Sequence, residues 1–223
     1  MIMTTYNISK SFSWKGTITE KVSSVCRMFG LTIERLKEQR HTHNCQLEIN
    51  PGDIVYITGP SGTGKSVLLR ELEKSIPVQD RINLAQINLP DDRTVIDCID
   101  AGLLAGLRLL STAGLNDCFC ILNQPCNLSE GEQYRFRLAV ALAAGKKFIF
   151  ADEFTSALDR ITASSISYRL RQFADKTDTT FILASSHEDM LLDLAPDVLI
   201  RRDFTSAANV VYKKKRSSKC LKV

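Results

Sequence analysis

GPSGTGKS, residues 59–66, decides the reading of this chain. Gly59, Gly64, Lys65 and Ser66 take the fixed positions of the phosphate-binding loop pattern G-x-x-x-x-G-K-[ST], and Pro60, Ser61, Gly62 and Thr63 fill the rest. Upstream, residues 53–58 (DIVYIT) form a strand-like apolar run that ends at the first glycine. Downstream, residues 66–74 carry Leu68, Leu69 and Leu72 at helical spacing. Strand, glycine loop and helix are what phosphate binding needs. Glycines let backbone N–H groups turn inward, and the helix start adds a favourable dipole. The expected ligand is a nucleoside triphosphate with Mg²⁺. Lys65 would reach the β- and γ-phosphates and the Ser66 hydroxyl would ligate the metal, in a cradle running from Gly59 through Val67.

Four further motifs follow in order. Residues 128–133 read LSEGEQ. Behind them Tyr134, Leu138, Ala141 and Leu142 make a helical apolar stripe. Residues 147–151 are an apolar run ending in Asp152 and Glu153, and Ser156-Ala157-Leu158-Asp159 comes next. Residues 181–186 are another apolar run, closed by His187. From chemistry alone, a strand-end Asp152 can hold a Mg²⁺ shell beside a phosphate loop. Glu153, pointing the other way as the adjacent strand residue, is free to polarise water.

This ordered series resembles the ATP-binding-cassette (ABC) ATPase family over residues 45–202. The resemblance implies an α/β fold: a P-loop NTPase of the ABC type, with cofactors ATP and Mg²⁺. It makes Glu153 the catalytic base, and His187 and Lys65 its catalytic companions on the γ-phosphate. It also implies a homodimer. Ser129 and Gly131 open a helix whose start would face the ATP of the other protomer, so that two ATP molecules are sandwiched, with Asp159 along the seam. Gln86, which follows the strand-like residues 82–85 (INLA), is the candidate for the glutamine that links Mg²⁺ and the attacking water to a helical subdomain. Phe12, at the end of a first strand, is the first candidate to stack on adenine; Phe29 is the alternative.

Spacing departs from that of transporter ATPases. Lys65 to Gln86 is 21 residues and Gln86 to Ser129 is 43, both short, whereas the 23 from Ser129 to Asp152 are ordinary. Reduced antiparallel and helical subdomains are expected. The expected layout is one domain over 1–212, with an extra amphipathic helix at 19–30, a helical subdomain at 87–128 and a basic tail at 213–223. In the extra helix Val22, Val25, Cys26 and Phe29 form a stripe, and Gly30 is its stop. Packing on the core is the expected fate of that stripe. Residues 28–31 (MFGL) and 196–200 (PDVLI) resemble non-transporter ABC ATPases fused to or partnered with a GNAT acetyltransferase-like domain, which points to a separate acetyltransferase-like partner.

A chain of 223 residues with 44% hydrophobic content can bury one sizeable core. No apolar run nears the about 18 residues of a membrane span and no signal peptide is visible, so a cytoplasmic protein without direct membrane insertion is expected. The seven cysteines are odd in number and irregular in spacing. Neither residues 118–126 nor 41–45 have the paired spacing of a structural zinc site, and reduced thiols are expected. Net charge is +4, much of it in residues 213–219 (KKKRSSK). That tail can bind nucleic acid phosphates or be a solvated end; without interleaved aromatics, the solvated end is favoured. The resulting expectation is a soluble ABC-type ATPase that drives a conformational change in a partner protein. The alternatives are the ATP-binding subunit of an ABC transporter and a nucleic-acid-associated ABC ATPase.

Overall fold

The computed structural model describes residues 3–38, 40–204 and 208–213, with the backbone alone at 40–43. Two β-sheets organise them. Strands β1 (Thr4–Ser13) and β2 (Arg40–Ile49) pair antiparallel as a separate two-stranded sheet. The main sheet has β3 (Ile54–Thr58), β4 (Arg81–Asn83), β5 (Phe148–Ala151), β6 (Thr180–Ser185), β7 (Val198–Arg201) and β8 (Asn209–Tyr212), in the order β4-β5-β6-β3-β7-β8. All its pairings are parallel except β7 with β8.

β3 is buried at all five residues, so helices must cover both faces of the sheet. Alternation along the strand sorts the core into two clusters. Ile54 and Tyr56 join Phe136, Ala139 and Leu142 of α6 (Glu130–Ala143) and Ile166, Leu170 and Ala174 of α7 (Arg160–Lys176). Val55 and Ile57 join Leu68, Leu69 and Leu72 of α3 (Lys65–Lys74) and Leu47 and Ile49 of β2. Each fully buried Leu or Ile is worth about 2 kcal/mol. α6 is apolar on more than the expected stripe, because Phe136 faces the core at 0% exposure.

Chain ends of the sheet are tied by charge. Asp197 Oδ2 accepts from the Ile54 amide at 2.9 Å and from Arg171 of α7 at 2.6 Å. Between Gln86 and Ser129 the chain makes only short helices, chiefly α4 (Leu103–Thr112) and α5 (Cys118–Leu122).

Three expectations need correction. First, α1 (Glu20–Met28) forms with Thr19 as its N-cap, but of the stripe only Cys26 is buried. Val25 and Phe29 are 51% and 75% exposed, because the short helix joins neither core cluster. Second, the strand expected over 82–85 stops at Asn83, whose side chain accepts from the Ala85 amide at 3.0 Å and turns the chain into a 3₁₀ turn over Leu84–Gln86. Third, Asp152 and Glu153 lie beyond β5 in a turn, so strand alternation does not separate them. The basic tail lies outside the described residues from 214 onward, and the side chains of His41 and His43 do as well. Among the described residues no helix is long and apolar enough to cross a membrane.

Candidate functional site

The loop after β3 is shaped by positive φ at Gly59 (142°), Gly62 (82°) and Gly64 (87°). At Gly59 an added Cβ would lie 1.9 Å from the Arg202 carbonyl oxygen, so no other residue fits. Arg202 braces the loop from behind: Nε donates to Thr63 O at 3.2 Å, and Thr63 Oγ1 donates to Pro60 O at 2.8 Å. Gly64, in the left-handed region, precedes α3, and Lys65 folds back to donate from Nζ to Gly59 O at 2.7 Å and Pro60 O at 2.9 Å. Burial lowers the pKa of Lys65, while the carboxylates of Asp152 and Glu153 act to raise it.

Those carboxylates close the other side of one cavity of about 470 Å³, with the loop residues Ser61, Gly62, Gly64, Lys65, Ser66 and Val67 opposite. Ser156, Ser185 and Ser186 also line it. The sequence motifs assign no role to these three, whose only signal is their place at the two motif ends.

The turn that carries Glu153 is strained. Glu153 and Thr155, neither a glycine, have φ of 50° and 64°. Three contacts hold it. Phe154 is fully buried, its amide donates to Ala184 O at 2.7 Å, and the Thr155 amide donates to Tyr134 Oη at 3.3 Å. Burial pushes the Tyr134 phenol well above its ordinary range. The Glu153 amide donates to Asp152 Oδ1 at 3.1 Å. Oxygen donors from Ser66 and Asp152 on one cavity suit a hard cation such as Mg²⁺.

Other candidates stand apart from the cavity within one chain. His187 follows Ser186 but is exposed; its carbonyl accepts from Tyr56 Oη at 2.6 Å. Gln86 lies three residues past Asn83, which pairs with Phe150, as Glu153 lies three past Phe150. Its side chain is turned away, donating from Nε2 to Glu73 Oε1 at 3.3 Å. Phe12 is 41% exposed on β1, with the Lys10 ammonium 6.0 Å from its ring centroid. Asp159 is the N-cap of α7, accepting from the amides of Ile161 and Thr162, each at 3.0 Å. Ser129 is the N-cap of α6, and Glu132 Oε2 accepts from its amide at 2.9 Å and its hydroxyl at 2.7 Å. Glu132 Oε1 accepts from Cys120 Sγ at 2.9 Å. This contact first, and those of Ser129 next, pull Glu132 down to about 2, and the same contact pushes the Cys120 thiol up to about 11. Gly131 sits against the Ala157 carbonyl, where a Cβ would come within 3.1 Å.

A family model described as "ABC transporter" matches residues 42–101. Among curated proteins, the methionine import ATP-binding protein MetN of Photobacterium profundum is 31% identical over 196 residues, covering 70% of this chain and 56% of that protein. The MetN of Brucella abortus is 31% identical over 233 residues, covering 88% of this chain and 60% of that protein. The chain thus spans less than two thirds of the length of these relatives. Among solved structures, a dimeric ATP-binding cassette in a post-hydrolysis state with ADP and phosphate superposes with a TM-score of 0.65 at 20% identity, over 95% of this chain and 98% of that one. A bacterial Atm1-family ABC exporter with ATP bound gives 0.59 at 20% identity, over 74% and 34%. These relatives bear transporter names. They lend nothing to the non-transporter type and the acetyltransferase-like partner expected above, nor to the alternative of nucleic acid binding.

Proposed function

The chain is a P-loop nucleotide-binding domain of the ABC ATPase family, and from that premise we propose that it binds Mg-ATP, closes with a second copy around two ATP molecules and hydrolyses them to move a partner protein. The observation that carries this reading is the single cavity with Lys65 and Ser66 on one wall and Asp152 and Glu153 on the other.

Catalysis of phosphoryl transfer is positional and electrostatic. Amides of residues 59–67 cradle the phosphates, and Lys65 turns its ammonium from its own loop carbonyls to their oxygens. Ser66 and Asp152 would hold Mg²⁺, with Gln86 as a further ligand on closure. The bound ion would neutralise charge on the phosphates. Glu153, fixed by the strained turn, accepts a proton from the attacking water. His187 donates to the γ-phosphate, Phe12 stacks on adenine, and Ser129, Gly131 and Asp159 serve the nucleotide of the second copy.

The partner favoured by the relatives is a membrane permease, with this chain as its ATP-binding subunit. The helical segment carries exposed apolar side chains that such a partner could cover: Leu103, Leu104, Phe119 and Leu122 are 66% to 81% exposed. A second reading, a soluble motor, draws on the passage from α3 to β4 through one 3₁₀ turn, without an added sheet. Glu153→Gln protein loaded with ATP and used as bait in native detergent extract decides between them. A bound permease supports the subunit reading, and a soluble partner with no membrane protein overturns it. Wild-type hydrolysis by Glu153→Gln would overturn the reaction itself.

A further inference from the structure

Glu73 has no part in the chemistry above, yet it is a carboxylate only 7% exposed. It lies on α3, two turns beyond Ser66. Its Oε2 accepts from Asn83 Nδ2 at 2.8 Å and its Oε1 from Gln86 Nε2 at 3.3 Å. Asn83 in turn accepts from the Ala85 amide and so shapes the 3₁₀ turn that carries Gln86. The next residue is gripped from the other side, where Arg137 Nε of α6 donates to Ile87 O at 3.4 Å. One short turn is therefore held between α3, which starts at the phosphate loop, and α6, which starts at Ser129. It is also where the chain leaves the sheet for the segment 87–128.

We propose that Glu73 is a positioning residue, a latch that holds Gln86 withdrawn from the nucleotide cavity until closure releases it. The inference rests on the role given above to Gln86. A carboxylate only accepts hydrogen bonds, so it binds the amide by its N–H edge and fixes the rotamer. Swinging Gln86 toward the cavity breaks a charge-assisted, part-buried bond to a carboxylate that is itself buried. Arg81 Nε, 4.0 Å from the same Glu73 oxygen, is the replacement donor that keeps the carboxylate paired. The latch then has two arrangements, Gln86 on Glu73 with Arg81 held 4.0 Å off, as here, and Arg81 closed onto Glu73 once Gln86 leaves, which is what a switch requires. Because the turn touches both helices, a shift of either one reaches Gln86. ATP at the head of α3 and a partner on the helical segment would then act on the same bond.

The test is a cycle of Glu73→Gln, Gln86→Ala and the double variant in the full chain, reading kcat and ATP affinity separately. Glu73→Gln keeps one acceptor for Asn83 but presents an amide to Gln86. The expected result is a rise in kcat of about two- to tenfold with ATP affinity within about twofold, and no rise when Gln86→Ala is combined with it. Glu73→Asp shortens the reach and loses the longer bond to Gln86 first, so it reports the same effect should Glu73→Gln not fold. Independent, multiplicative effects overturn the latch and leave Gln86 its role. Wild-type kcat in Gln86→Ala overturns the role of Gln86 and the latch with it. A readout that needs no turnover is the Gln86 side-chain amide resonance, assigned by its loss in Gln86→Ala. Mg-ATP added to Glu153→Gln protein should shift it to where Glu73→Gln places it without nucleotide, and an unmoved resonance overturns the latch.

Discussion

At the residue scale, Glu153 and Gly59 carry the sharpest expectations. Glu153→Gln removes the only function asked of that side chain, proton acceptance. Hydrolysis should fall about 100- to 1,000-fold while nucleotide affinity holds, as measured by phosphate release and by titration with a fluorescent ATP analogue. Gly59→Ala places a methyl group on the Arg202 carbonyl and should abolish nucleotide binding. The Cys120–Glu132–Ser129 chain gives a pH test. Glu132 titrates at about 2, below the ordinary 4.5, so its contribution is present above that ordinary value and is lost only as pH falls toward 2. Cys120 titrates at about 11, above the ordinary 9.0, so its contribution is full below pH 9.0 and is lost as pH rises through about 11. Thermal melts should stay level from these two groups between pH 5 and 8. The fall between pH 9.0 and about 11 should be smaller in Cys120→Ala, and an equal fall would show that the thiol contact contributes nothing. The motif letters identified Lys65, Ser66, Asp152 and Glu153 as neighbours in space, and the cavity brings them together. The letters S-x-x-E at 129–132 are those of a capping box, so the Ser129–Glu132 contact was legible in them, whereas the thiol donor Cys120 from another helix was not.

At the element scale, the turn after β5 and the start of α7 can be probed separately. Tyr134→Phe leaves the Thr155 amide without its acceptor and should cost about 1–3 kcal/mol. It should also lower kcat more than ATP affinity, since the strained turn aims Glu153. Denaturant unfolding and steady-state kinetics on one preparation would check both parts. Asp159→Ala removes the cap of a 17-residue helix and should cost about 1 kcal/mol of stability. Loss of ATP-dependent dimer beyond what that destabilisation explains would support its place on the seam. The strands ending at Thr58, Ala151 and Ser185 and the helices α3 and α6 were legible because burial on both faces or along a stripe writes itself into apolar spacing, whereas the 17-residue α7 was not among the expectations. α1 was legible as a helix through Thr19 and its periodicity, but its outward Val25 and Phe29 were not. Periodicity reports that a helix has an apolar face, and only a neighbouring element decides whether that face is covered.

For the whole molecule, the proposed function calls for a second copy, because Ser129 and Gly131, given a role at the nucleotide, lie apart from the cavity of their own chain. Glu153→Gln protein with Mg-ATP should run at twice the monomer mass in size exclusion with light scattering, and Ser129→Arg should keep it monomeric while ATP still binds. A monomer in both would remove the ATP sandwich from the proposal. The sequence alone determined the fold class, the phosphate loop and the order of motifs along the sheet. These depend on local chemistry: glycines where φ is positive, apolar runs where strands are buried, carboxylates at strand ends. Tertiary structure alone decided how Gln86, Cys120 and Phe29 are placed. Each depends on a partner far along the chain, or on the lack of one in the core: Glu73 holds Gln86 to α3, Cys120 completes the bonds of Glu132, and no core cluster receives the α1 face that ends at Phe29. Such partners meet only when the sheet has brought the helices together, which no spacing within a segment can encode.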